Sequence, residues 1–232
     1  MAMGKNIEKD FRKKAKLKRK VKQFNMLLAG VGGEGVLLTS VIIARAANME
    51  GYDVRGTQIH GLSQRGGTMP AHVRFGKNLY SPMISLGEAD LVFGLEPVES
   101  ARYCYFASKD RTNFFIDNFP LVPFLTKTKG EKYPTAEEIK KMISPFAKNI
   151  VIADASNICV KKFGNPLFGN IMSLGIVISS GFLPLHEESI LKAIEETVPR
   201  SLDENIEAFR MGIEFSYEDA LLHGKKGIVP HK

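Results

Sequence analysis

The stretch FNMLLAGVGGEGVLLTSVIIARAA, residues 24–47, decides the fold class of this chain. Residues 25–29 are a short apolar run of the length of a buried β-strand, and the run opens directly into glycines. Residues 36–47 are apolar nearly all round, which is typical of a buried helix. A strand, a glycine turn and a helix in succession form half of a βαβ unit. The stretch therefore predicts an α/β protein.

The glycine turn, GVGGEG, has the spacing G-x-G-x-x-G. Glycines permit a tight turn and a close approach of the backbone, and the helix that follows presents free N–H groups that suit an anion. The candidate cofactor-binding residues in this turn are Gly30, Gly32, Gly33 and Gly35.

A nicotinamide or flavin dinucleotide is the usual ligand of this spacing, but two features argue against it. A dinucleotide site normally adds an Asp or Glu near the end of the second strand to hold the ribose hydroxyls. Here the second predicted strand, residues 53–57, is followed by Gln58 and has its acid, Asp53, at the start. Glu34 also places a carboxylate where the pyrophosphate would lie, so the pattern alone leaves the ligand open.

The second glycine-rich loop, HGLSQRGG at residues 60–67, is a more unusual combination of side chains. It follows the second predicted strand, so it is expected at the same edge of the sheet as the glycine turn, where ligands of open α/β sheets collect. An Arg in such a loop can hold a phosphate or carboxylate bidentately. The candidate binding residues here are His60, Ser63, Gln64, Arg65, Gly66 and Gly67. The alternative is a structural loop whose glycines only meet backbone demands.

The next strand is predicted at residues 69–75, where apolar and polar residues alternate. Pro70 suggests an edge strand or a strand start. His72 and Arg74 are expected to share the polar face, with His72 a satisfied strand histidine rather than a catalyst.

The remaining pattern continues the alternation of strands and helices. Thr135 with Glu138, and Ser201 with Glu204, have the spacing of helix-capping boxes, and Glu96 with Glu99 indicates another helix start. Further strands are predicted at residues 89–95, 113–117 and 150–154. Helices are predicted at residues 97–105 and 135–146, from the end of the 150–154 strand to residue 163, at residues 171–180, and after residue 201. The sequence predicts one α/β domain over residues 23–232, a three-layer structure with a mostly parallel Rossmann-like sheet and a C-terminal helical segment.

The charge of the chain is concentrated in a tail. The formal net charge is +7, but residues 1–22 contain ten basic and two acidic residues, so the remaining chain is close to neutral. Such a run is usually a solvated extension, and the alternative is an arm that binds nucleic acid. With one aromatic residue, Phe11, the tail lacks a stacking series, and nucleic-acid binding is the less favoured interpretation.

The two cysteines, Cys104 and Cys159, limit the cofactors that this chain can hold. An iron–sulfur cluster normally needs about four thiolates, so no cluster and no structural metal site are expected. No nucleophile–base pair is apparent, and no catalytic residue is assigned. No apolar run has the length of a membrane span, and no signal peptide is recognised, so we expect a cytoplasmic protein.

Several segments of the sequence together resemble a known family. The segments that carry the resemblance follow one another in order over about residues 25–212: GVGGEGVLLTSVIIARAA, HGLSQRGGTMPAHVRFG, ADLVFGLEPVESAR, YPTAEEI, ADASNICVKKFGNPLFGNIMSLG and ENIEAFRMG. They are similar to the gamma-type subunits of 2-oxoacid:ferredoxin oxidoreductases. The segment GFLPLHEESILKAIEETVP most resembles the beta subunit of the two-subunit indolepyruvate enzymes. In the family, Gln usually stands where this chain has Glu34.

The resemblance implies a reaction and a set of partners. It implies an enzyme subunit, inactive alone, that supports oxidative decarboxylation of a 2-oxoacid to an acyl-CoA, with electrons passing to ferredoxin. Thiamine diphosphate and [4Fe-4S] clusters would lie on an alpha-type partner subunit, and this chain would complete the assembly and help to shape the 2-oxoacid or CoA side of the site, with a contact to CoA. The competing hypotheses are an autonomous dinucleotide-binding oxidoreductase and a nucleic-acid-binding module. A homo-oligomer is compatible with all three.

Overall fold

The computed structural model describes residues 21–33, 35–59, 67–121 and 132–215. Six strands of these residues form one sheet: β1 Gln23–Val31, β2 Asp53–Gln58, β3 Thr68–Gly76, β4 Leu91–Gly94, β5 Asn113–Asp117 and β6 Asn149–Ala153. The helices of the described residues are α1 Val36–Met49, α2 Pro97–Arg102, α3 Ala136–Ile143, α4 Ala155–Phe163, α5 Phe168–Ser179, α6 Glu187–Thr197 and α7 Leu202–Glu214. Short 3-10 helices follow α2 at Cys104–Phe106 and α3 at Ser144–Phe146.

The strand order is β2-β3-β1-β4-β5-β6. Strands β1, β4, β5 and β6 pair in parallel, and β3 runs antiparallel between β1 and β2. Five of the six strands thus point the same way, and their carboxyl ends meet at one edge of the sheet, here called the carboxyl edge. The predicted three-layer, mostly parallel α/β fold is confirmed.

The two faces of the sheet carry different layers. On the first, here the five-helix face, α1 and α4–α7 pack over Met26, Leu28, Phe75 and Phe93 in the larger apolar core. On the second, the two-helix face, α2, α3 and the segment between β3 and β4 cover Leu27, Val92 and Phe114.

Helices α5 and α7 of the five-helix face cross in close contact. A Cβ atom added at Gly212 would meet the carbonyl oxygen of Met172, and one added at Gly175 would meet the carbonyl oxygen of Phe209. Glycine at these positions allows the two backbones to approach, and Phe209 is fully buried beside the contact.

Strand β3 confirms one of the two alternatives suggested by Pro70, a position near a strand start. It is an internal strand rather than an edge strand, and both of its faces are mostly buried. Pro70 is tolerated near the strand start, where its carbonyl oxygen accepts the Ile59 N–H at 3.1 Å although the proline itself has no N–H to donate. His72 and Arg74 share one face of β3 as predicted, but that face is not polar throughout, because His72 is fully buried and only Arg74 is partly exposed.

The helix-start predictions have different outcomes. Thr135 and Glu138 form the predicted capping box at α3, and Glu96 caps α2 by accepting the Glu99 N–H at 2.8 Å. Ser201 does not cap α7 with its side chain, because its backbone is left-handed with φ at 52°. The asparagine side chain of Asn205 instead bonds the Ser201 carbonyl oxygen. Helix α2 is also shorter than predicted, ending at Arg102.

Candidate functional site

The glycine turn lies at the carboxyl edge, between β1 and α1. Gly30 is buried within β1 and pairs with Met69 of β3. Gly33 and Gly35 have φ values of 97° and 85°, which side-chain-bearing residues rarely adopt. Gly35 precedes the first residue of α1, so the helix begins at the sheet edge with free N–H groups there.

The space around the turn differs from one glycine to the next. A Cβ atom at Gly33 would meet no atom of the described residues within 4 Å. A Cβ atom at Gly35 would lie 2.7 Å from the side-chain nitrogen of Asn170 in α5. The turn therefore packs against α5 at Gly35, whereas Gly33 has no such neighbour among the described residues.

The structure brings the two predicted glycine elements together. The N–H of Gly32 donates to the carbonyl oxygen of Gly67 at 2.8 Å, and Val31 pairs with Thr68 in the β1–β3 ladder. Gly67, the last residue of the second loop, therefore lies at the predicted edge beside the glycine turn. Glu34 and the candidate residues His60, Ser63, Gln64, Arg65 and Gly66 lie outside the described residues.

The end of β2 lacks the acid that a dinucleotide site needs. Gln58 points toward α1, where its side-chain nitrogen donates to the Ser40 hydroxyl at 3.1 Å. No carboxylate is available at this position to bind the ribose hydroxyls, and this argues against an NAD or FAD site.

Sequence reasoning missed a polar cluster next to the turn, built around two buried carboxyl groups, and its members come from three separate segments. Glu99 accepts the Thr68 hydroxyl hydrogen, and Thr68 lies 2.9 Å from the Tyr103 hydroxyl. Glu96 accepts the Tyr133 hydroxyl hydrogen. The spacing of Glu96 and Glu99 signalled a helix start, but no pattern in the sequence signals that Thr68 and Tyr133 reach them.

The carboxyl groups Glu96 and Asp117 at this edge are buried and are therefore not exposed bases. Burial raises the pKa of Glu96, although the Tyr133 hydroxyl and the Glu99 N–H oppose the shift. Burial also raises the pKa of Asp117 to about 7, against the hydrogen bonds from Ser156. Both carboxyls are almost fully enclosed by protein.

Neither cysteine is an activated nucleophile. Burial raises the pKa of Cys104 and raises that of Cys159 to about 12, so both remain thiols near neutral pH. Within residues 21–33, 35–59, 67–121 and 132–215, no group of three or more His, Cys, Asp or Glu side chains is placed to hold a metal ion. In the same ranges, no helix combines the length and the hydropathy needed to cross a membrane.

This fold and this edge belong to a defined class of protein. The chain is a member of the pyruvate ferredoxin/flavodoxin oxidoreductase family, whose model matches residues 25–215. A solved structure with the same fold is the pyruvate oxidoreductase subunit PORC of Thermotoga maritima, with a TM-score of 0.63 and 22% identity, covering 84% of this chain and 97% of that one.

Several similar curated proteins are subunits of indolepyruvate enzymes. The indolepyruvate oxidoreductase subunit IorB of Thermococcus kodakarensis is 34% identical over 200 residues, which cover 85% of this chain and 98% of that protein. The IorB subunit of Archaeoglobus fulgidus is 35% identical over 191 residues, covering 82% and 94%. The resemblance to the gamma-type subunits is confirmed, and the chain is a subunit of a 2-oxoacid:ferredoxin oxidoreductase.

Proposed function

We propose that this chain is the small subunit of an indolepyruvate:ferredoxin oxidoreductase and that it works only when assembled with a larger partner. The partner would carry thiamine diphosphate and the [4Fe-4S] clusters, and the assembled enzyme would convert a 2-oxoacid to an acyl-CoA and reduce ferredoxin. The observation that carries the proposal is the match to almost the whole length of the IorB subunits.

The cysteines of this chain do not fit a cluster. Cys159 is buried beside Met172, whereas Cys104 lies in the 3-10 helix on the two-helix face. Two thiols on opposite faces of a sheet cannot supply the ligands of one [4Fe-4S] cluster. The electron-transfer groups are therefore assigned to the partner.

We assign the carboxyl edge to the partner interface, and exposed apolar side chains there support the assignment. Leu37, Ile59, Leu121 and Leu167 are 37–49% exposed, and each lies just after a strand of this edge or near the start of α1 or α5. Apolar side chains that surround a binding edge are typical of a protein–protein contact.

The glycine turn and the second loop would then face CoA. A solved structure that contains the same fold, the 2-oxoglutarate:ferredoxin oxidoreductase of Magnetococcus marinus, was determined with 2-oxoglutarate, coenzyme A and succinyl-CoA bound; its TM-score is 0.61 at 18% identity, and the match covers 84% of this chain and 31% of that one. Helix α1 begins at the glycine turn, and its N–H groups suit a phosphate. The proposed contacts are Gly32, Gly33, Gly35 and Gly67, supported by Gly30 within β1, together with His60, Ser63, Gln64, Arg65 and Gly66.

Co-purification tests the assembly. We expect the tagged chain to retain a partner that contains thiamine diphosphate and iron, and the complex to reduce ferredoxin with indolepyruvate and CoA. The double substitution Leu37→Ser with Leu167→Ser should reduce partner recovery. A matched control is Tyr80→Ser with Leu86→Ser, at residues that are 92% and 70% exposed on the segment after β3. A wild-type chain that purifies without such a partner would contradict the proposal.

A further inference from the structure

Helix α2 buries two carboxyl groups at the carboxyl edge, although a helix start needs only one. Glu96 is 2% exposed and Glu99 is 6% exposed. Glu96 already supplies the cap by accepting the Glu99 N–H. Burying a second carboxyl group costs free energy unless its oxygens are hydrogen bonded, so the partners of Glu99 indicate its role.

The two oxygens of Glu99 have different partners. One accepts the Arg102 Nε–H at 3.2 Å, and the Arg102 side chain is 57% exposed. The other accepts the hydroxyl hydrogen of Thr68. A threonine hydroxyl has a single hydrogen, so the Tyr103 hydroxyl, 2.9 Å away, is the donor to Thr68. Glu99 and Tyr103 thus hold the Thr68 oxygen from two directions.

Thr68 transmits this anchoring to the glycine turn. It is the first residue of β3, it pairs with Val31, and it follows Gly67, whose carbonyl oxygen accepts the Gly32 N–H. Helix α2 is itself fixed by the contact between Glu96 and Tyr133. The cluster therefore sets where the Gly32–Gly67 contact lies relative to α2.

We propose that Glu99, acting through Thr68, is a positioning residue that fixes the Gly32–Gly67 contact in the geometry that binds the phosphate groups of CoA. The inference rests on the proposed function, because it assigns CoA to the glycine turn. Glu99 is assigned a positioning role because both of its carboxylate oxygens are bonded to side chains of this chain.

The test uses the complex of the full chain with its partner subunit. Thr68→Val removes the hydroxyl and keeps the β-branched shape. Losing one buried hydrogen bond of about 0.5–1.5 kcal/mol corresponds to roughly a 2- to 10-fold rise in the KM for CoA. The KM for the 2-oxoacid and the kcat at saturating CoA should stay unchanged, and Thr68→Ser should restore the KM for CoA.

A double-substitution cycle tests whether Glu99 acts through Thr68. Glu99→Gln combined with Thr68→Val should raise the KM for CoA no more than the larger single change does, because coupled residues are not additive. Arg102→Met is the matched control, since it removes the other partner of Glu99 and leaves Thr68 in place. Should Thr68→Val fail to fold, Tyr103→Phe removes the second hydroxyl of the cluster and should raise the same KM.

The outcomes separate this inference from the proposed function. A wild-type complex that does not assemble or has no CoA-dependent activity refutes the proposed function. A working wild type with an unchanged KM for CoA in Thr68→Val and Tyr103→Phe refutes the positioning role alone. Equal rises in the KM values for CoA and the 2-oxoacid would show general disruption and also refute it.

Discussion

The two faces of the sheet are covered by elements of different size. On the five-helix face, α5 has 12 residues, α7 has 13, and the helices pack on one another as well as on the sheet. On the two-helix face, α2 has 6 residues and α3 has 8. Short helices bury little area, so this layer depends more on hydrogen bonds such as Glu96–Tyr133 and Thr68–Glu99. The five-helix face supplies most of the apolar stabilisation, and the two-helix face positions the edge.

The largest effect is expected from the core of the five-helix face. Phe209 is fully buried between α7 and α5, and Phe209→Ala should lower the free energy of unfolding by about 3–5 kcal/mol. Denaturant unfolding measures the change. The control is Tyr80→Ala, at a side chain that is 92% exposed, which should stay within about 0.5 kcal/mol. A loss of less than about 1 kcal/mol for Phe209→Ala would contradict the claim that the five-helix face supplies most of the apolar stabilisation.

Asp117, at the end of β5, is a buried acid on the five-helix face. Burial raises its pKa to about 7 from 3.8, so the folded chain keeps a proton that the unfolded chain releases above pH 3.8. Its contribution to stability is therefore lost as the pH rises from about 4 to about 7, on the order of 4 kcal/mol at 1.4 kcal/mol per pKa unit. Asp117→Asn should remove this loss in unfolding free energies measured across the range. An unchanged profile would contradict the assignment.

His72 has the opposite dependence on the two-helix face. Burial, helped by Arg74, lowers its pKa to about 4 from 6.5. The unfolded chain binds the proton first, so stability is lost as the pH falls from about 6.5 to about 4. The Ile84 N–H donates to His72 Nδ1, and Nε2 has no hydrogen-bond partner within the described ranges. His72→Leu should therefore remove the loss of stability on acidification between about pH 6.5 and pH 4, and should keep the loss with rising pH that is attributed to Asp117. A remaining loss of stability over that acidic range would refute the role of His72.

The helix caps of the two-helix face should have a smaller effect on stability. Glu96→Ala removes a buried cap together with the Tyr133 contact, and we expect a loss of about 2 kcal/mol. Thr135→Ala removes the exposed cap of α3 and should cost about 1 kcal/mol. Thermal unfolding of both variants compares them, and equal losses would show that burial adds nothing to the Glu96 cap.

The smallest effect is expected at the surface of the five-helix face. Arg45 and Glu196 form an ion pair at 3.1 Å with side chains that are 45% and 41% exposed. Water screens such a pair, so Arg45→Ala should change the unfolding free energy by about 0.5 kcal/mol or less. A larger, salt-dependent loss of unfolding free energy in denaturant would show that this ion pair between α1 and α6 contributes substantially to stability.

Local patterns in the sequence predict the helices and strands of this fold, but they do not predict which elements lie next to one another in every case. The apolar runs and the glycines placed β1 and α1 correctly, and the rule for carboxyl ends placed Gly67 beside the glycine turn. The position of β3 between β1 and β2 depends on pairing between distant segments, which the alternation around His72 does not encode. The contact of Thr68 with Glu99 was missed for the same reason, since 31 residues separate them.

The β2–β3 hairpin has a consequence for how this fold can diversify. Because β3 returns antiparallel beside β2, residues 59–67 connect two strand ends at the same edge of the sheet. A hairpin connection can lengthen without shifting any crossover helix, and doubling its length costs only about 0.6 kcal/mol in closure entropy. Insertions at this point therefore give evolution, or an engineer who grafts a recognition peptide, a way to change the ligand of the edge while the sheet stays the same.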